Sequence, residues 1–317
     1  MAKRKRRPPR VRTDVPVSDP PVRLGLVSPM RTVPATIARP PYVTLPGGEP
    51  GPSVSSPIRT ADELARMRKA GAVGAEILLE VGREVAPGVS TEKLDQIAHE
   101  AHVVRGAYPS PLGYRGYPKS VCTSVNEVIC HGIPDSRQLQ DGDIVNIDVT
   151  AYIDGVHGDT SVTLLVGDVD DHSRTLVRET RRALELAIDE VGPGVPFNAI
   201  GRAIETHARR FDLGVVRDFI GHGVGTEFHT SLQIPHYYER TFTLPMQEGM
   251  SFTIEPMLTL GEIGVHIWDD AWTAVTSDGR RTAQFEHTMV VAADGVEVLT
   301  RTSGGSCAHE ELAEALA

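Results

Sequence analysis

The chain has 317 residues, 40% of them hydrophobic, enough for one large domain or two small ones. Its formal charge of −10 is uneven: residues 1–12, MAKRKRRPPRVR, hold seven Lys/Arg and no acid, so the other 25 basic and 42 acidic residues leave −17. A basic arm on an acidic body excludes a broad nucleic-acid surface, although the arm alone suits phosphate.

Residues 1–57 carry more than half of the 23 prolines and predict an extended arm without a core of its own, ending in the linker-like LPGGEPGPSVSSP at 45–57. The more apolar stretch 27–43 is expected to lie against the body. Regular structure begins near residue 58. Thr60 and Glu63 form a capping box, and Leu64, Met67, Ile77 and Val81 follow helical spacing, predicting a helix over 60–85. Further helices are expected over 90–106, 173–191 and 196–211. Strand-like runs occupy 121–129, 143–152, 159–166, 251–260, 264–275 and 282–292. This mixture reads as α+β, with a body over 58–301 and a marginal tail over 302–317.

Cys122, Cys130 and Cys307 have no paired spacing, which suggests a reducing compartment and no structural zinc. No apolar run reaches 18 residues, and the N-terminus lacks the apolar segment of a secretory signal. A cytoplasmic protein without a membrane span is expected.

One pattern occurs twice. CHGIP (130–134) is followed by QDGDIVNID (140–148), and GHGVG (221–225) by QEGMSFTIE (247–255). Each block runs from a His-Gly pair to a strand-like segment ending in a carboxylate, which suggests two facing half-sites. In the first half, Asp154-Gly155 is a strong two-residue hairpin signal. Centring the turn there pairs Asp148 with Ser161 and puts Asp159 on the same face, diagonal to Asp148. In the second half Glu255 ends one strand and Glu286 lies in another. Asp is disfavoured in strands, and like charges this close repel unless a cation lies between them. Four carboxylates and one or two imidazoles without a thiolate suit a dinuclear Mn, Fe(II), Co or Zn centre. Such a centre acidifies a water and polarises a carbonyl, so metal-assisted hydrolysis is implied. His157 shares the face of Asp159 and is assigned to packing or support, His287 to the opposite face, and His99, His102, His172, His207, His236, His266 and His309 to no role.

The segments YPKSVCTSVNEVICHGIP (117–134), GDIVNIDVTAYIDGVHGDTS (142–161), GHGVGTEFH (221–229), FTIEPM (252–257) and QFEHT (284–288) resemble type I methionine aminopeptidases, in order, across roughly residues 60–300. The proline-rich arm is similar to the extended actinobacterial form, although no PxxP occurs in 1–57. The resemblance implies the pita-bread fold, two pseudo-symmetric halves around a curved antiparallel sheet. It implies two divalent ions held by Asp148, Asp159, His222, Glu255 and Glu286, with Asp159 and Glu286 bridging both. His131 then contacts the scissile amide, His229 steadies the carbonyl oxygen, and Glu255 also relays a proton. Tyr114, Tyr117, Cys122, Phe228 and Trp272 match the methionine pocket, and the carbonyls of Asn126 and Val128 match a monovalent-cation site. The implied activity is removal of N-terminal methionine from nascent chains whose second residue is small, by a monomer whose basic arm could touch the ribosome. The 33-residue spacing of His222 and Glu255 leaves no room for the insert of type II enzymes. An Xaa-Pro aminopeptidase or prolidase would share the five ligands but brings a large folded N-terminal domain. A non-catalytic relative would be expected to have lost ligands.

Overall fold

The computed structural model describes residue 15 and residues 17–312; the basic segment 1–12 and the last five residues lie outside them. Helix α1 (Ala61–Gly82) starts at the expected capping box: Thr60 Oγ1 accepts from Glu63 N at 3.2 Å, and Glu63 Oε2 accepts from Thr60 N at 2.8 Å. Ser90 caps α2 (Thr91–Val104) and Asp170 caps α3 (Asp171–Ile188), each accepting from the backbone N–H three residues on. Helix α4 spans Asn198–Ala208.

Seven strands make the central sheet: β1 (Tyr108–Pro109), β2 (Cys122–Val125), β3 (Ile144–Ile153), β4 (Val156–Leu165), β6 (Ser251–Ile254), β7 (Glu286–Ala292) and β8 (Gly295–Val298). The short β5 (Gly221–His222) pairs with Gln233–Ile234 beside it. All pairs in the sheet are antiparallel. β3 holds β4 on one edge and β1 with β2 on the other; β7 holds β6 on one edge and β4 with β8 on the other. Each half of the chain therefore contributes a helix pair and a long hydrogen-bonded strand pair, and the halves meet where β4 pairs with β7. The fold is the α+β pita-bread fold.

Alternation along β3 sorts its side chains. Val145, Ile147 and Val149 are fully buried in the main core with Ile77 and Leu78 of α1 and Leu184 of α3, while Asn146, Asp148 and Thr150 point away from it. The helices thus cover one face of the sheet and leave the carboxylates on the other. α1 crosses β4 at backbone contact distance: a Cβ on Gly158 would lie 2.4 Å from Gly71 N, and one on Gly71 would lie 2.2 Å from the Leu299 carbonyl oxygen, so neither position accommodates a side chain. The hairpin turn needs the left-handed backbone found at Asp154 (φ 53°) and Gly155 (φ 82°).

The arm lies along the body. Ser28 Oγ accepts from the buried Lys119 Nζ at 2.7 Å, and Arg31 pairs with Glu92 and Asp95. Val33 and Ile37 bury against Tyr108, Leu112 and Tyr152. In the tail, Ala308–Glu311 forms α5, and Cys307, Ala308 and Leu312 are buried. No helix of the described residues is long and apolar enough to cross a membrane.

Candidate active site

The register expected from the hairpin is present: Asp148 pairs with Ser161, and Asp159 with Thr150. β7 brings Glu286 opposite the same Ser161 from the other side. Paired residues on neighbouring strands point to one face, so Asp148, Asp159 and Glu286 converge. Glu255 follows β6, and His222 ends β5, held by a 3.0 Å bond from its N–H to Thr253 Oγ1. His222 Nε2 lies 3.7 Å from Asp159 Oδ2 and 3.6 Å from Glu255 Oε1. One donor atom each from Asp159, His222 and Glu286 lies within 4.8 Å of the others.

Neighbouring groups orient these carboxylates. Thr150 donates to Asp159 Oδ1 at 2.6 Å, Thr253 to Glu255 Oε1 at 2.7 Å, and Gln284 Nε2 to Glu255 Oε2 at 3.2 Å. The backbone N–H of Glu255 donates to His236 Nε2 at 3.1 Å. Burial pushes all four carboxyls above the usual carboxylate range, and repulsion by neighbouring carboxylates adds to the shift for Asp148, Glu255 and Glu286. Burial lowers the His222 and His131 imidazoles to about 4, which keeps them neutral near pH 7. Asp148 Oδ1 is buried with no hydrogen-bond partner. Four self-repelling carboxylates, a neutral imidazole and an orphaned carboxylate oxygen form a donor set suited to divalent cations.

A cavity of about 690 Å³ opens above this group; the five candidate ligands, His131, His229 and the five candidate pocket residues all line it, whereas Asn126 and Val128 do not. Tyr114 meets Phe228 edge-on, with centroids 5.0 Å apart, and Tyr117 meets Trp272 at 5.1 Å. The Cys122 thiol, pushed well up by burial, stays protonated and serves as a soft wall. His131, in left-handed backbone (φ 57°), sits edge-on to Trp272 at 5.7 Å. His229 is exposed at the mouth, its ring 4.0 Å from that of His222. His157, assigned to packing, stacks on Phe228 at 5.3 Å and bonds Ser110 Oγ at 2.8 Å.

Sequence reasoning missed Phe219 and Met257 on the cavity wall, and His236 beneath Glu255. It also missed Tyr42 of the arm, whose ring meets Tyr114 edge-on at 5.0 Å while its hydroxyl donates to the Ser110 carbonyl at 2.5 Å. Glu227, just before Phe228 and His229, accepts from the arm N–H groups of Val54 (3.0 Å) and Ser55 (2.9 Å). None of these carries a local signal, because each contact joins segments far apart in sequence.

A model of metallopeptidase family M24 matches residues 65–293. Methionine aminopeptidase 2 of Mycobacterium tuberculosis is 56% identical over 277 residues, covering 87% of this chain and 96% of that protein. The chain belongs to the methionine aminopeptidases of metallopeptidase family M24. The crystal structure of methionine aminopeptidase from Rickettsia prowazekii aligns with a TM-score of 0.75 at 43% identity, covering 77% of this chain and 98% of that one. The prolidase from Pyrococcus horikoshii OT3 is similar at a TM-score of 0.62 and 18% identity, covering 78% of this chain and 64% of that one, and shares the fold alone. The family is one of metallopeptidases, so divalent metal belongs to its chemistry.

Proposed function

We propose that Asp148, Asp159, His222, Glu255 and Glu286 would hold two divalent ions in an enzyme of type I. The enzyme removes N-terminal methionine from proteins and peptides. Bound ions of the Mn, Fe(II), Co or Zn class supply a water acidified for attack and an electrophile for the scissile carbonyl. The observation that carries this reading is the convergence of all five ligand residues, three catalytic side chains among or beside them, and an aromatic pocket on one cavity.

Glu255, oriented by Thr253 on Oε1 and Gln284 on Oε2, takes a proton from the attacking water and delivers it to the leaving amine. His131 holds the scissile amide. His229 donates to the carbonyl oxygen as it gains charge. Tyr114, Tyr117, Cys122, Phe228 and Trp272 receive the methionine side chain, a flexible thioether that adapts to aromatic walls. His131 and His229 crowd the space beyond the scissile bond, so the second residue must be small. The carbonyls of Asn126, at left-handed φ 54°, and Val128 would receive a monovalent cation.

The test is turnover by metal-stripped protein titrated with Mn, Fe(II), Co and Zn. Met-Ala-Ser should be cleaved only after metal is restored. Met-Lys peptides should be far slower, and formyl-Met and Xaa-Pro peptides inert. Metal-independent turnover, or preference for Xaa-Pro, would reject the assignment. The protein is proposed to act as a cytoplasmic monomer, its seven-charge arm offsetting repulsion between the acidic body and ribosomal phosphate. Removing residues 1–12 should then leave peptide hydrolysis intact and reduce ribosome co-sedimentation at low salt.

A further inference from the structure

We propose that His287, Cys307 and His309 form a second metal site, apart from the carboxylate centre, that takes a thiophilic divalent cation such as zinc. The cysteine spacing led to the opposite expectation, no structural zinc. The three residues meet because the chain returns after β8 and sets α5 against the helix-covered face of the sheet. His287 neighbours Glu286 in β7, but strand alternation turns it away from the catalytic cavity.

One donor atom from each of the three side chains lies within 4.8 Å of the others. His287 is 3% exposed; its Nδ1 bonds Thr300 Oγ1 at 2.8 Å, while its Nε2 is buried with no partner. A metal-ligating imidazole has this arrangement, one ring nitrogen fixed by a neighbouring hydrogen bond and the other free for the ion. Cys307 is a free thiol, also 3% exposed. The rings of His287 and His309 lie 5.2 Å apart at 48°, tilted rather than stacked.

The donor set distinguishes this site from the catalytic one. One sulfur and two imidazole nitrogens select zinc, Co(II) or copper over manganese and magnesium, whereas the carboxylate centre is rich in oxygen. Tetrahedral zinc with bonds of about 2.0–2.3 Å needs donors roughly 3.3–3.7 Å apart, so the widest pair has at most about 1.5 Å to close. Cys307 and His309 stand at the start of a four-residue helix, and His309 is only half-buried, which leaves that end free to adjust. Ligation turns the Cys307 thiol into a thiolate and releases one proton to solvent. A fourth position remains for water. The ion would clip the tail to β7, the strand that begins with Glu286.

The test uses the full chain with its catalytic centre loaded with Mn(II). Cobalt titration should produce a near-ultraviolet thiolate-to-Co(II) charge-transfer band, and zinc dialysis should leave about one additional equivalent bound. Cys307→Ser should abolish the band and His309→Ala should weaken zinc retention at least tenfold, while both keep Mn-dependent peptide hydrolysis as proof of folding. Zinc should also slow proteolysis of the tail in the parent protein but not in Cys307→Ser. No band in the parent overturns the proposal. So does an undiminished band or zinc content in Cys307→Ser, which would place the metal at Cys122 or the catalytic centre.

Discussion

Asp148 and Glu286 register against the same residue, Ser161, from opposite edges of β4. The two residues are 138 positions apart in sequence, yet one strand separates them, so their Cα atoms lie roughly 10 Å apart across the sheet while their side chains share one face. Asp159, two residues from Ser161, reaches the same face between them. The proposed metal centre is therefore built on the seam between the halves, and neither half supplies all five of the proposed ligands.

Glu255→Gln tests the proton relay. The amide keeps the shape and the bond from Thr253, but loses the charge and the exchangeable proton. Turnover is expected to fall by roughly 10³-fold or more, the scale seen when one member of a catalytic unit is removed. Near-normal kcat in a folded, metal-loaded variant would remove Glu255 from the mechanism.

His229→Ala separates transition-state stabilisation from ligation. Loss of a donor to the developing oxyanion costs on the order of 100- to 1,000-fold in kcat. Metal content, measured by atomic emission after dialysis, should stay at the parent level. A parallel loss of metal would make His229 a ligand instead.

Above about pH 7, where the buried histidines such as His131, His157, His222 and His236 are neutral folded and unfolded alike, stability of the metal-free protein should fall as pH rises. The four carboxyls have folded pKa values above their unfolded ones, so the native state keeps protons that the unfolded chain has released. Their contribution is greatest below about pH 4 and is lost progressively as pH climbs through the raised values. Added metal replaces those protons. The gain in Tm on metal addition should therefore be larger at pH 7.5 than at pH 5.5, and a gain independent of pH would contradict the raised values.

Tyr42 offers a test of the arm's grip on the pocket. Tyr42→Phe removes only the bond to the Ser110 carbonyl and should cost about 1 kcal/mol. Tyr42→Ala empties the space against Tyr114 and should cost about 3–5 kcal/mol while raising KM for methionyl peptides. Equal effects of the two substitutions on denaturant midpoint would mean that ring packing contributes nothing.

The convergence of Asp148 and Asp159 was legible because it depends on short-range rules. A two-residue turn at Asp154-Gly155 sets the register, and a period of two sets the face. The repeated His-Gly blocks exposed the duplication, but they did not distinguish His222 from His131; that distinction came from family resemblance. Cys307 and His309 could not be linked to His287 by spacing, since their meeting depends on where the chain returns after β8. Tyr42 was obscured in the same way, an aromatic in a proline-rich stretch whose partner lies 72 residues away. Its helix-forming neighbours 60–85 were plain by contrast, because capping and apolar spacing are written locally.

The pairing of β4 with β7 also has a consequence for synthesis. β4 ends at Leu165 and its partner begins at Glu286, so on the order of ten seconds of translation separate them at about 5–20 residues per second. During that interval the outer edge of β4 is open, the kind of edge that recruits strands from neighbouring chains. Asp159 lies in that strand, and Asp148 on the one beside it. Before the second half arrives, water keeps both ionised, and their charge discourages illegitimate strand addition. Arrested chains ending near residue 170 should accordingly aggregate faster when Asp159 is replaced by Asn; equal aggregation would deny the carboxylate any part in guarding the edge.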